Sequence, residues 1–402
     1  MKKLLQINSV VNWGSTGRIA EGIGEIAINN GWESYIAYGR NEGNSLSTKI
    51  RIGNSFDIYT HILKTRILDR HGFASKRSTE KFISFVNEIK PDIIHLHNLH
   101  GYYINIEILF HFLSKINTPV VWTLHDCWAF TGHCAYFDYI NCQKWQTHCK
   151  DCPQKKDYPS SCIIDNSFSN FKTKKQIFTR VEKLTIVPVS DWLSNLTAQS
   201  FLKNKKKQVI KNGIDTNIFK PSKNNLIRKK LCLENKFILL GVASVWDRRK
   251  GLNDYISLSK YLEANDVIVL VGLNTFQIKN LPENIIGIER TENINELVDL
   301  YSSADLYLNL SWEDNFPTTN LESLACGTPV LTYNTGGSPE AISHDTGFIV
   351  KKGDIQSITK AIKLFKINNN SNYAYNCRNR VLSNFKMEVQ FEKYFNLYEE
   401  LL

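Results

Sequence analysis

Leu306-Tyr307-Leu308-Asn309-Leu310 runs into Ser311-Trp312-Glu313-Asp314-Asn315-Phe316-Pro317-Thr318-Thr319-Asn320-Leu321-Glu322, then into Ser323-Leu324-Ala325-Cys326-Gly327-Thr328-Pro329-Val330-Leu331-Thr332. An apolar run, a polar loop, helical spacing over Asn320 to Ala325 and a second apolar run from Val330 make one strand-helix-strand unit. Apolar strands joined by helices pair in parallel, because a crossover helix is what returns the chain to the same end of the sheet. The same unit recurs on both sides. Phe237 to Ala243 and Val267 to Val271 read as further strands, with helices over Asn253 to Leu262, Ile294 to Ser302 and Ile355 to Phe365. In the amino half, Leu4 to Asn8, Ser34 to Tyr38, Ile93 to Leu96, Val120 to Leu124 and Leu184 to Val189 read as strands, with helices at Gly17 to Asn29 and Glu80 to Ile89.

The expected fold is therefore α/β, with two Rossmann-like, doubly wound domains in tandem and a substrate cleft between them, since ligands gather beyond the carboxyl ends of such strands. The domains are expected at 1–208, carrying a cysteine-rich insertion at about 127–162, and at 209–385. The join lies near Asn212-Gly213, where a turn is favoured. Residues 386–402 contain an amphipathic helix around Val389 to Tyr398 that should pack back on the amino-terminal domain.

With 402 residues, 42% of them hydrophobic and 22% charged, the chain fits ordinary folded globular proteins and excludes disordered and fibrous classes. Its longest apolar runs fall short of the roughly 20 residues a membrane helix needs, and Met1-Lys2-Lys3-Leu4-Leu5 leads into polar Gln6 and Asn8, unlike a signal peptide. The expected location is the cytoplasm, including the inner face of the plasma membrane. The net charge of +10 comes from residues 165–232, which hold 15 Lys or Arg against 4 Asp or Glu. That excess suggests an anionic partner, either a phosphorylated substrate or the anionic inner membrane. Nucleic acid is disfavoured, because no aromatic residues interleave with these lysines.

Three clusters could carry chemistry. Asn12-Trp13-Gly14-Ser15-Thr16-Gly17-Arg18 follows the first strand and opens a helix, so its amides could face an anion. The loop from Ser311 to Glu322, with Gly336-Gly337-Ser338-Pro339-Glu340, sets carboxylates for sugar hydroxyls beside helix starts for phosphate, a combination suited to a nucleotide sugar. Cys134, Cys142, Cys149 and Cys152, separated by seven, six and two residues, have a spacing that could hold a closed structural Zn²⁺. A reduced cluster without metal, disulfides or an iron–sulfur centre are alternatives, and His133, His148 and Cys162 are substitute ligands. His95, His97 and His100 surround a strand end. Alternation sends strand neighbours to opposite faces, so some of them are expected to line an acceptor surface and not to bind a metal.

The segment from Ser311 to Glu340 resembles the signature of glycosyltransferase family 4, retaining enzymes of GT-B fold, and the resemblance spans nearly the whole chain. It is nearest to members that build colanic-acid-type and other exported bacterial polysaccharides. The resemblance implies that Glu322 holds the donor ribose, and that Asp314, with Glu313 beside it, stands where the family has its first Glu. Asn315, Phe316, Thr318, Gly336 and Gly337 would complete the donor side. Ala243 to Gly251 is similar to the family's Arg and Lys-Gly element, so Lys250 would neutralise the donor diphosphate. Val245 stands at the Arg position, leaving that charge to Arg248 or Arg249, and Pro317 replaces a common Gly. Leu124-His125-Asp126 resembles the element that carries a His near the reacting sugar, and Gly14 to Gly17 would lie beneath the diphosphate. The implied reaction moves a hexose from a nucleotide diphosphate sugar to a hydroxyl of a lipid-linked glycan, with Lys250, Arg249, His125 and Asp314 as the reacting set and no cofactor. The alternatives are a nucleotide-sugar epimerase that hydrolyses its donor and a non-catalytic polysaccharide-assembly protein.

Overall fold

Every strand pairing in the two sheets is parallel, which follows from strands too apolar to leave a face in water. The computed structural model describes residues 1–223, 226–367 and 372–402. They form two units, Met1–Lys211 with Glu388–Leu402, and Asn212–Met387.

The first unit holds β1 (Lys3–Ile7), β2 (Glu33–Tyr38), β3 (Thr48–Arg51), β4 (Ile93–Leu96), β5 (Val120–Leu124), β6 (Leu184–Pro188) and β7 (Lys206–Lys207), in the order β3-β2-β1-β4-β5-β6-β7. The central strands are buried on both faces, with Leu4, Leu5, Ile93, Ile94, Val120, Val121 and Ile186 inaccessible or nearly so. The helix Met387–Leu401 returns to this unit. Its Tyr398 hydroxyl lies 2.6 Å from Nδ1 of His95, Phe395 meets Trp32 edge to face, and Phe391 fills the space over Gly22. His95 therefore faces this helix and lines no acceptor surface.

The second unit holds β8 (Phe237–Val242), β9 (Asp266–Val271), β10 (Ile285–Ile288), β11 (Leu306–Asn309), β12 (Val330–Tyr333) and β13 (Gly347–Val350), in the order β10-β9-β8-β11-β12-β13. Both sheets thus follow the doubly wound 3-2-1-4-5-6 pattern, the first with one added edge strand. Four strands were not legible in the sequence: β3, β7, β10 and β13, all of them sheet edges. β3 and β7 carry charged residues at positions open to water, which breaks their apolar signal, whereas β10 and β13 are apolar runs of only four residues that include a glycine and are less buried than β4, β5 and β11.

Candidate functional site

In this strand order the chain leaves in opposite directions at the first and fourth positions, so the carboxyl ends of β8 and β11 form the second unit's switch point. After β8 a single 3₁₀ turn, Arg248–Lys250, is capped by Asp247, whose carboxylate accepts the Lys250 N–H at 3.1 Å. Gly251 ends the turn at φ 74°, and a Cβ there would lie 2.1 Å from the Leu310 carbonyl oxygen. Only glycine lets the turn press this closely on the end of β11. Trp312 N–H donates to the Arg249 carbonyl (2.8 Å), and Arg249 Nη1 donates to the Glu313 carbonyl (3.0 Å).

This lacing brings Lys250 Nζ to 2.6 Å from Asp314 Oδ2 and 3.4 Å from Ser311 Oγ. Both partners of the ion pair keep part of their side chains in solvent. An ammonium held by a carboxylate and still reached by solvent is placed to meet an anion at this strand end. Arg248 is exposed and Arg249 is half-buried against the 312–314 backbone, so Arg249 is the arginine built into this turn.

Gly336 and Gly337 act on the same loop from the other side. A Cβ on Gly336, at φ 53°, would sit 1.7 Å from the Asp314 carbonyl oxygen, and Gly337 N–H donates to that oxygen at 3.2 Å. These glycines hold the Asp314 backbone, and the Gly337 amide is already engaged. Ser338, next along, is fully buried and its Oγ has no hydrogen-bond partner among the described residues. Thr318 opens the helix Thr318–Ala325, which carries Glu322; Glu322 Oε2 accepts from the Tyr301 hydroxyl at 2.8 Å. Two residues sit differently from the expectation. The Phe316 ring is buried against Phe385 and so packs the core, while Glu313 is wholly buried.

The corresponding switch point of the first unit, at β1 and β4, is furnished with neutral groups. Gln6 Nε2 donates to the Ala20 carbonyl at 2.7 Å, which leaves Gln6 Oε1 to accept from His97 Nε2 at 3.0 Å. His97 Nδ1 then accepts from His125 Nε2 at 3.2 Å, with the rings stacked. One amide thus orients two imidazoles. Burial lowers the His125 pKa to about 4 and holds His97 well below the usual imidazole range, so both are neutral at pH 7. Gln6 was missed as a site residue, although a fully buried amide in the middle of an apolar strand is the kind of anomaly that points to one. Beside this chain, His100 Nε2 lies 2.6 Å from Asp126 Oδ2, and His100 Nδ1 lies 3.0 Å from the Tyr158 hydroxyl. Gly14, Ser15, Thr16 and Gly17 form the first turn of the helix Gly14–Asn29, which starts three residues earlier than expected.

The cysteine-rich insertion is built on a small aromatic core of Phe130, Phe137 and Trp145. Cys134, Cys142, Cys149 and Cys152 border one cavity of about 10 Å³, and Gly132 N–H donates to Cys149 Sγ at 3.2 Å. All are free thiols, which excludes the disulfide alternative as the chain stands, and Cys162 is exposed. Among the described residues no group of three His, Cys, Asp or Glu is placed to hold a metal ion, so the arrangement does not support the expected zinc.

The basic stretch 165–232 is also not one free surface. It is divided between the two units, and many of its cations are engaged. Lys174 is buried, donating to the carbonyls of Trp128 and Thr131, and Lys205 donates to those of Thr179 and Val181. Lys211, Arg228 and Lys230 pair with Asp191, Asp305 and Glu296.

Residues 223–380 match the family described as glycosyl transferases group 1. The chain is 22% identical over 386 residues to the putative colanic acid biosynthesis glycosyl transferase WcaC of Escherichia coli K12, covering 90% of each chain. Among solved structures it resembles sucrose-phosphate synthase of Thermosynechococcus elongatus, with TM-score 0.73 at 17% identity over 100% and 99% of the two chains. It also resembles Anabaena HepE in complex with UDP-glucose, with TM-score 0.68 at 15% identity over 98% and 100%.

Proposed function

From the premise that the chain is a glycosyltransferase of GT-B fold whose second unit matches the group 1 glycosyl transferases, we propose that it is a retaining hexosyltransferase. Its donor would be a nucleotide diphosphate sugar and its acceptor a hydroxyl of a lipid-linked bacterial surface glycan, met at the cytoplasmic face of the membrane. The observation that carries this reading is the pair Lys250 and Asp314, with Arg249, at the switch point of the second sheet.

As the bond between the anomeric carbon and the phosphate oxygen breaks, the carbon becomes cation-like and negative charge grows on the departing diphosphate. A fixed ammonium and guanidinium at that oxygen stabilise the transition state more than the ground state. The acceptor oxygen bonds to the same face of the carbon, and its proton passes to the departing phosphate. This proton transfer needs no protein base, which agrees with a neutral His125 that shapes and polarises the sugar. Ser338 Oγ would complete the second unit's diphosphate contacts, and Glu322 would take the ribose hydroxyls.

The test is a panel of nucleotide sugars offered to purified protein with and without a glycan acceptor. Transfer with retained anomeric configuration supports the reading. Donor hydrolysis unchanged by any acceptor would favour an epimerase-like enzyme, and no turnover of any donor would favour an assembly role.

A further inference from the structure

The helix Ser55–Leu68 is inside out for a protein surface. Its inner face sets two fully buried polar residues, His61 and Thr65, between half-buried Ile58 and Ile62, with His61 Nε2 accepting from Gly72 N–H at 3.0 Å and His61 Nδ1 2.9 Å from Ser75 Oγ. Its outer face is apolar. Phe56 is 75% exposed, Tyr59 71% and Leu63 59%, and Ile67 follows on the same line. These positions recur at i, i+3, i+7 and i+11, one stripe about 16 Å long. Ile163 and Ile164 widen its far end, because that segment is tied to the helix by Cys162 N–H to the Arg66 carbonyl (2.7 Å) and Ile164 N–H to the Ile67 carbonyl (3.1 Å). Single exposed apolar residues are ordinary, but a contiguous stripe of this size marks a contact surface.

Charge decides the kind of contact. Lys64 and Arg66 are exposed, one on each flank of the stripe. At the start of the helix lies a cavity of about 470 Å³ lined by Arg51, Arg77, Lys81, Asp57, Phe82 and Phe85. The carboxylate of Asp57 is occupied in the helix cap, where it accepts the Asn54 N–H at 3.0 Å. Three cations and two phenyl rings lining one cavity fit the phosphate and upper chain of an anionic lipid. A second copy of this chain fits poorly, since a two-fold contact would bring the flanking cations of both copies together in a protein already at +10. No helix among the described residues is long and apolar enough to cross a membrane, so the surface would lie on the bilayer.

We propose that this stripe and its basic cavity dock the first unit on an anionic phospholipid surface, with the aromatic and aliphatic side chains entering the headgroup boundary and the cations meeting lipid phosphates. The docking site is thus moved from the lysine-rich stretch 165–232 to residues 51–85. It stands independently of the donor assignment.

The test is sedimentation of the full chain with vesicles of phosphatidylglycerol and phosphatidylcholine, against phosphatidylcholine alone, at low and at physiological salt. Wild-type protein should bind the anionic vesicles at least tenfold more tightly. Phe56→Ser/Leu63→Ser and, separately, Arg77→Ser/Lys81→Ser should each lose at least tenfold, with unchanged thermal unfolding and unchanged donor turnover on a soluble acceptor. Wild-type protein left in the supernatant, or equal binding by wild type and the Phe56→Ser/Leu63→Ser variant, overturns the proposal. So does a concentration-dependent dimer that the same two substitutions abolish, because the stripe would then serve a second copy.

Discussion

The two sheets share one strand order and differ completely in what they place at the switch point. In the second unit the ends of β8 and β11 present a lysine, an arginine and an aspartate linked by short contacts. In the first unit β1 and the ends of β4 and β5 present an amide and two imidazoles, neutral and largely withdrawn from water. The same topology therefore makes one site that answers to charge and one that answers to shape and hydrogen-bond direction. On the proposed reading a diphosphate would meet the former, and a sugar ring, rich in hydroxyls and uncharged, the latter.

Removing the charge should give the largest effect. Lys250→Ala should lower kcat/KM by about 10² to 10³, the usual cost of deleting one preorganised group that faces developing charge. The substitution also leaves Asp314 without its cation, so Lys250→Ala/Asp314→Asn should recover stability but not rate. A single variant that turns over at the wild-type rate would sink the assigned role.

Acid separates the two units next. Burial lowers the pKa of His61 to about 3 and of His125 to about 4, and lowers those of His71, His95 and His97 well below 6.5; all five belong to the first unit. Between pH 6.5 and about 4 the unfolded chain binds protons that the folded chain refuses, so stability rises with pH in this window and is lost on acidification. Each such histidine removes at most about 1.4 kcal/mol per pH unit below 6.5. His133 acts in the opposite direction, because Asp69 raises its pKa. The urea midpoint should fall from pH 7 to pH 5, and a midpoint that holds steady would mean these imidazoles are not buried neutral.

The smallest effect sharpens the comparison most. Gln6→Leu removes the acceptor that orients His97, and through it His125. We expect kcat to fall about tenfold with little change in donor KM, and stability to fall by about 1–3 kcal/mol from the stranded polar groups. Nitrogen NMR of the His125 ring should show Nε2 protonated in wild type and a mixture of tautomers in the variant. A pure loss of stability, with kcat and the tautomer intact, would reduce Gln6 to a structural role.

Much of the fold was legible because interior parallel strands must be apolar on both faces. The sequence runs at Ile93 to Leu96 and Val120 to Leu124 could not be read otherwise. The edges escaped for the opposite reason: β3 and β7 have charged or exposed positions at almost every place and gain their identity only by pairing. The helix Ser55–Leu68 escaped too, since apolar residues lie on both its sides and the fully buried positions, His61 and Thr65, are polar, which erases the usual amphipathic pattern.

Order along the chain was thus enough to determine two doubly wound sheets, because burial and spacing are local constraints, and resemblance to a known family marked Lys250, Asp314 and His125 as candidates. Which cation meets which carboxylate was decided by tertiary structure. Arg249 was separated from Arg248 by the approach of the β8 turn to the β11 loop across more than sixty residues of chain, and Gly336, after β12, was brought onto the Asp314 backbone from the other side. The direction of the His125 proton likewise rests on Gln6, over a hundred residues away, and sequence spacing carries no trace of a hydrogen bond made through folding.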